Sequence, residues 1–361
     1  MKKVLFIASH RLGRAPGQRF RFEQYLSFLK KNNFDYHISY IINEKDDAVF
    51  YSKGKYFQKF YIFLKSIIHR LKDLKKAKSF DIVFIYRETL MLGSTYFEKR
   101  FRKSGAKLIL DFDDAIWLRD VSRGNNNLAW LKNPSKTAAI IRLCDQVITG
   151  NDFLKEYALR YNTHVITIPT TIDTDYYMKE IVAKTEENIC IGWTGSLTTL
   201  KHLELSLPFL RKIKEKYGAR ISFRIISDFP FISDEIAFEF IKWSKEAEVR
   251  DLSAFDIGIM PLPDDEWAKG KCGFKGLQYM ALEIPAIMSP VGVNTEIIQD
   301  GVNGFLAASN EEWVEKLSLL IESPALREQL GKSGRQTVLE KYSFESQKQK
   351  YLNCFQELVK K

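Results

Sequence analysis

The sequence predicts an α/β protein made of two doubly wound domains. Three observations carry this. Short, continuous apolar runs alternate with longer segments of helical period. The alternation is interrupted once, by a polar stretch near the middle, and then resumes. The chain of 361 residues is also longer than one ordinary core holds. Continuous apolar strands, without polar alternation, imply parallel sheets covered by helices on both faces.

In the first half the expected strands are 4–9, 36–42, 82–86, 108–112, 147–149 and 165–169. Helical patterns such as 20–30 and 153–161 lie between them. The second set of strands is expected at 189–194, 221–227, 257–261, 286–289 and 305–307. Its helical patterns are 203–217, 232–245, 274–282 and 311–322. Residues 173–188 are polar and charged with few core residues, and read as the linker. The expected domains are therefore 1–172 and 173–343, with a terminal helix, 344–361, packing back on the first. Open α/β sheets bind ligands at the carboxyl ends of their strands. Two such domains facing each other would form a central cleft.

Composition excludes several classes. Hydrophobic residues are 45% and charged residues 28%, as in soluble globular proteins. No run of about 20 apolar residues is present to span a bilayer. The opening apolar run, 4–8, is too short for a secretory signal. Cys144, Cys190, Cys272 and Cys354 are scattered, which suits a reducing compartment and offers no thiol metal motif. The five histidines form no zinc pair. A cytoplasmic, metal-free protein is expected. Residues 1–110 hold 24 Lys+Arg against 9 Asp+Glu, and the rest of the chain is mildly acidic. That asymmetry fits an anionic partner or surface for the first domain, and equally a solvated lysine-rich exterior.

Dinucleotide and triphosphate cradles are missing: neither G-x-G-x-x-G nor G-x-x-x-x-G-K-[ST] occurs. What occurs instead is a pair of glycine turns at strand ends in the second domain. In IGWTGS, Gly195 and Ser196 follow a strand and precede a helix that carries Lys201. In SPVGVNTEII, Gly292 and Val293 precede a helix start near Glu296. Glycine lets backbone approach a ligand, and a helix N-terminus offers N–H groups to phosphate. Ordinary βα turns would look the same.

The order of these motifs resembles retaining glycosyltransferase family 4. The matching pieces are IPTTIDTDYY (168–177), IGWTGSLTTLKHLEL (191–205), FDIGIMPL (255–262) and GFKGLQYMALEIPAIMSPVGVNTEIIQDGVNGFL (273–306). A subgroup with W-T-G-S and K-x-L-Q-Y-M-A sequences is the most similar. The resemblance is clear over roughly residues 145–345 and holds in the first half only by pattern. It implies the GT-B fold, two Rossmann-like domains. It also implies transfer of a sugar from a UDP-sugar or GDP-sugar to an acceptor hydroxyl, without a metal or other cofactor. The implied acceptor is a glycan or lipid-linked glycan in surface polysaccharide or glycolipid synthesis, and nucleic acid is not an implied partner. Lys201, Lys271, Lys275 and Gln278 join the two turns as implied donor contacts. Many relatives carry two glutamates eight positions apart. Here Gly270 and Gln278 stand at those places, and Ser196 stands where many have arginine. Lys271, Lys275 and the acidic cluster Asp264, Asp265 and Glu266 are the candidate substitutes for the first glutamate. These departures keep two rivals in view: a sugar-nucleotide epimerase sharing the fold, and a non-catalytic binding homologue.

In the first domain the loop 10–19 carries Arg14, Gly17 and Arg19, where relatives place a glycine-rich loop near the donor phosphates. Asp111, Asp113 and Asp114 crowd the end of the strand 108–112. Asp113 and Asp114 are the candidate catalytic carboxylates, orienting the acceptor or donor sugar. A helix-capping role fits as well. Asp111-Phe112-Asp113 also matches the D-x-D of metal-dependent GT-A enzymes, a three-residue match that the two-domain pattern opposes. Residues 55–78 form an amphipathic helical pattern with a basic face. It reads either as a core-facing helix or as one lying on the anionic inner face of the plasma membrane.

Overall fold

The computed structural model describes residues 1–52, 54–118, 133, 135–181 and 188–360. The chain forms two compact units, 1–170 with 347–361, and 171–346.

The first unit holds β1 (Lys2–His10), β2 (Phe34–Ile42), β3 (Ile82–Tyr86), β4 (Lys107–Phe112), β5 (Gln146–Thr149) and β6 (Val165–Thr167). They make one parallel sheet in the order β2-β1-β3-β4-β5-β6. Residues 4–8 of β1 and all of β3 are buried, because both faces of these strands are covered. The second unit holds β7 (Ile189–Gly195), β8 (Ile221–Ser227), β9 (Glu239–Lys242), β10 (Ile257–Met260), β11 (Ala286–Met288) and β12 (Phe305–Leu306). Their order is β12-β11-β10-β7-β8-β9, again parallel.

Each order reverses once. In the first sheet β2 lies on one side of β1 and β3 on the other. In the second sheet β8 and β10 flank β7. Loops leaving the carboxyl ends of these neighbours diverge and open a crevice at each reversal.

Four expectations need correction. Residues 232–245 are not a helix; they carry β9. Ile236, Phe238 and Phe240 recur at the period of a strand, and the open edge of β8 pairs with residues 239–242. The single helix expected at 20–30 is three pieces, Pro16–Arg21, a 3-10 turn Glu23–Tyr25, and Leu26–Lys31. The pattern 203–217 splits into Leu200–Glu204 and Leu207–Tyr217, since Pro208 suits a first helical turn and not an interior. The stretch read as linker also contributes core: Thr174 and Tyr177 are buried within the second unit, where Tyr177 bonds Glu248 at 2.8 Å.

Candidate functional site

In the second unit the crevice between β7 and β10 gathers three loops. β7 ends at Gly195, where a Cβ would collide with the Trp193 ring and the Thr199 hydroxyl. The turn therefore needs glycine. Ser196 then caps a 3-10 turn, Leu197–Thr199, with its N–H donating to Thr199 Oγ1 at 3.0 Å. Gly273 and Gly292 both sit at positive φ, 66° and 54°. A side chain at Gly273 would strike Ile297, and one at Gly292 would strike the Lys269 backbone. These two glycines let the loop before the helix Phe274–Ala281 press against the turn after β11. Val293 is buried there and Glu296 is exposed.

Lysines converge on this crevice. Lys275 Nζ lies 5.6 Å over the Trp193 ring, and Lys271 Nζ lies 4.8 Å over Trp267. Lys201 is exposed on the short helix after the Gly195 turn. All three act on one buried residue, His202. Burial pushes its imidazole down to about 3, and Lys275, Lys271 and Lys201 push the same way. The imidazole is thus neutral at neutral pH, and its Nδ1 is buried without a hydrogen-bond partner. The charges that shift His202 are these three lysines, so the surroundings of the imidazole favour an anion. His202 was not singled out from the sequence, because a lone histidine carries no motif.

Two expected features are absent from this geometry. The helices after the turns are only Leu200–Glu204 and Asn294–Ile297, too short for a substantial macrodipole. Gln278 does not reach open space. It is 2% exposed, and its amide donates to Tyr177 Oη (3.0 Å) and Glu248 Oε1 (3.3 Å). Its polar atoms are thus turned to protein partners, on a helix whose residues 276–281 are all buried.

In the first unit the crevice between β1 and β3 is lined by groups from three strand ends. Gly17 has no room for a side chain: a Cβ would meet Tyr86 Oη and Asp113 Oδ2. Asp113 accepts from Tyr86 Oη at 2.9 Å and from Arg87 Nε and Nη2 at 2.9 and 2.7 Å. Asp114 also pairs with Arg87. Arg87, the residue after β3, has φ 63°, a conformation rare outside glycine, and that turn aims its guanidinium at both carboxylates. Asp111 faces elsewhere. Arg21 holds it in a bidentate pair, 2.9 and 3.0 Å, with both side chains buried. Burial pushes the Asp111 carboxyl up to about 6, against the pull of Arg21. The D-x-D match is therefore not a shared chelate, since its two carboxylates answer to different arginines. Among the described residues no group of three His, Cys, Asp or Glu is placed to hold a metal. Arg19 is buried with its guanidinium 4.9 Å over Phe20, while Arg11 and Arg14 bind Asp47 at 2.9 and 2.5 Å.

Two parallel sheets with this topology can be compared with solved structures. Sucrose-phosphate synthase from Thermosynechococcus elongatus superposes over 99% of both chains, with TM-score 0.72 and 13% identity. The catalytic domain of starch synthase IV from Arabidopsis thaliana, bound to ADP and acarbose, covers 99% of both with TM-score 0.70 and 12% identity. Anabaena HepE in complex with UDP-glucose covers 99% of this chain and 100% of its own, with TM-score 0.67 and 11% identity. The chain has the GT-B fold. Within it, residues 263–337 match the family model of glycosyl transferases group 1. That segment of the GT-B chain contains Lys271, Lys275, Gly292 and Glu296. No curated protein matches the sequence.

Proposed function

We propose that this GT-B protein is a glycosyltransferase that binds a nucleoside diphosphate sugar in the second unit. The observation that carries the reading is the placement of three lysines by the strand ends at the reversal of the second sheet: Lys275 over the Trp193 ring of β7, Lys271 over Trp267, and Lys201 on the helix after the Gly195 turn. Cations gathered around a neutral, buried imidazole favour a polyanion, and a diphosphate supplies one. HepE with UDP-glucose and starch synthase IV with ADP, both of this fold, support a nucleotide-sugar donor. The group 1 match supports sugar transfer as the reaction.

On this reading the lysines stabilise charge on the leaving diphosphate, which is where charge develops as the glycosidic bond breaks. Arg87 holds Asp113 and Asp114 in one place, so that a carboxylate can orient an acceptor hydroxyl or the donor sugar. Lysine charge supplies what a metal would otherwise supply, so the proposed transfer is metal-independent. Retention, and a glycan or lipid-linked acceptor from surface polysaccharide or glycolipid assembly, follow from the resemblance to family 4.

Calorimetry with UDP and GDP tests the donor site. Lys201→Ala, Lys271→Ala and Lys275→Ala should each weaken binding by roughly 1.5–3 kcal/mol, the worth of a charge-assisted contact. Unchanged affinity in all three would remove the site. Incubation with a panel of sugar nucleotides tests the reaction. Transfer or hydrolysis supports the enzyme, whereas an epimerised sugar or binding without turnover would replace it with another activity on the same fold.

A further inference from the structure

The helix Tyr56–Ala77 is built inside out. Its inward face carries Lys59, Ser66, Arg70 and Asp73 beside Ile62 and Ala77, all buried. Arg70 is fully buried and donates to the carbonyls of Ala8 and Thr89 (2.6 and 2.7 Å), to Ser39 Oγ (2.8 Å) and to Asp73 (2.9 Å). Lys59 donates to the Ser52 carbonyl at 2.6 Å. The polar face is thus satisfied within the first unit, which corrects the expectation of a core-facing apolar stripe.

The apolar residues point outward instead. Phe57 is 94% exposed, Tyr61 68% and Phe60 59%, and Leu64, Ile68 and Leu71 are exposed as well. Their spacing places all six on one side of an α-helix, in a continuous ridge. Scattered apolar side chains on a surface are ordinary, but a contiguous row of this size marks a contact surface.

We propose that this ridge docks on an anionic lipid surface. Charge decides the occupant. Lys55, Lys72, Lys75, Lys76 and Lys78 are exposed on or beside the helix. Its one acidic residue, Asp73, is buried and paired with Arg70. The nearby Asp46 is taken by Lys65 at 2.5 Å. A second copy of the chain would bring its own lysines against these, and protein interfaces are depleted in lysine. Anionic headgroups accept the lysines while the acyl boundary accepts the aromatic rings. Among the described residues no helix is long and apolar enough to cross a membrane, so the helix lies in the interface plane. This docking does not depend on the donor-site reading.

Vesicle sedimentation with the full chain tests it, using phosphatidylcholine vesicles with and without phosphatidylglycerol. One variant is Phe57→Ser with Phe60→Ser and Tyr61→Ser; the other is Lys72→Gln with Lys75→Gln and Lys76→Gln. All six residues are exposed, so both variants should keep the wild-type thermal midpoint. The wild type is expected to sediment with anionic vesicles at low salt and to be released by added salt. The aromatic variant should lose roughly tenfold or more in partitioning. The lysine variant should lose on the order of a hundredfold at low salt. If a triple variant melts early, Phe57→Ser alone replaces it, as the most exposed of the ridge. Wild type left in the supernatant with anionic vesicles, or variants that bind as it does, would overturn the proposal. So would a dimer in sedimentation velocity that the aromatic variant converts to monomer, since the ridge would then belong to a second copy.

Discussion

Gln278 donates through one amide nitrogen to Tyr177 Oη and Glu248 Oε1, and Glu248 also accepts from Tyr177 Oη (2.8 Å) and from Trp243 Nε1 (3.0 Å). Such a buried network is costly to break, because Glu248 would lose a donor without gaining water. Gln278→Leu should therefore lower stability by about 1–3 kcal/mol and leave nucleoside diphosphate affinity unchanged; denaturant melts beside calorimetry check both. A weakened donor with a normal melt would return Gln278 to the ligand. The sequence could not show this, since Tyr177 lies 101 positions away and only its residue type was visible. His202 was hidden for the same reason. What marks it is the set of lysines around it, and Lys271 and Lys275 reach it only through folding. The turns at Gly195 and Gly292 were legible as turns, because glycine after an apolar strand marks a sharp change of chain direction.

At the level of elements, the apolar strands were legible almost throughout, since burial on both faces leaves a continuous run that few other structures produce. β9 was not, because a half-exposed edge strand has no such run. The carboxyl end of β4 was legible as a place but not as an arrangement. Three aspartates in four residues look like one cluster, yet Asp111 points to Arg21 and Asp113 to Arg87. The two should respond differently to loss of charge. Asp111→Asn leaves the buried Arg21 without its counter-ion and should cost about 3–5 kcal/mol of stability. Asp113 is partly exposed and lies beside Gly17, so Asp113→Asn should spare most of the stability. If it orients a reacting hydroxyl, it should lower turnover about tenfold or more at unchanged donor affinity. Thermal melts and steady-state kinetics in EDTA separate these outcomes. Equal losses of stability in both variants, with full activity per folded molecule, would leave β4 with a structural role alone.

Over the whole molecule, the alternation of strands and helices and its single interruption were enough to read two doubly wound sheets. They could not give the strand orders, which depend on which edge each crossover reaches. The chain also crosses between its units twice, so that residues 347–361 belong to the first unit although they follow the second in sequence. Aromatic packing fixes that return. Tyr351 stacks on Tyr25 with centroids 4.0 Å apart, and Phe355 stacks on Phe84 at 6.0 Å and meets Phe34 at 5.8 Å. Tyr351, Leu352 and Phe355 are buried, so the returning helix closes one face of the β1–β3 region. Removing residues 347–361 would expose Tyr25, Phe34 and Phe84 to water, and losing a buried aromatic side chain alone costs about 3–5 kcal/mol. The truncated chain should then show faster amide exchange in β1, β2 and β3 while β7 and β8 keep their protection. The double variant Tyr351→Ala with Phe355→Ala should reproduce the pattern more weakly, with the backbone of the helix still present. Hydrogen exchange followed peptide by peptide reads both at once. Faster exchange confined to β7 and β8 would place the terminal helix with the second unit instead, and uniform loss across all strands would mean that the two units unfold as one.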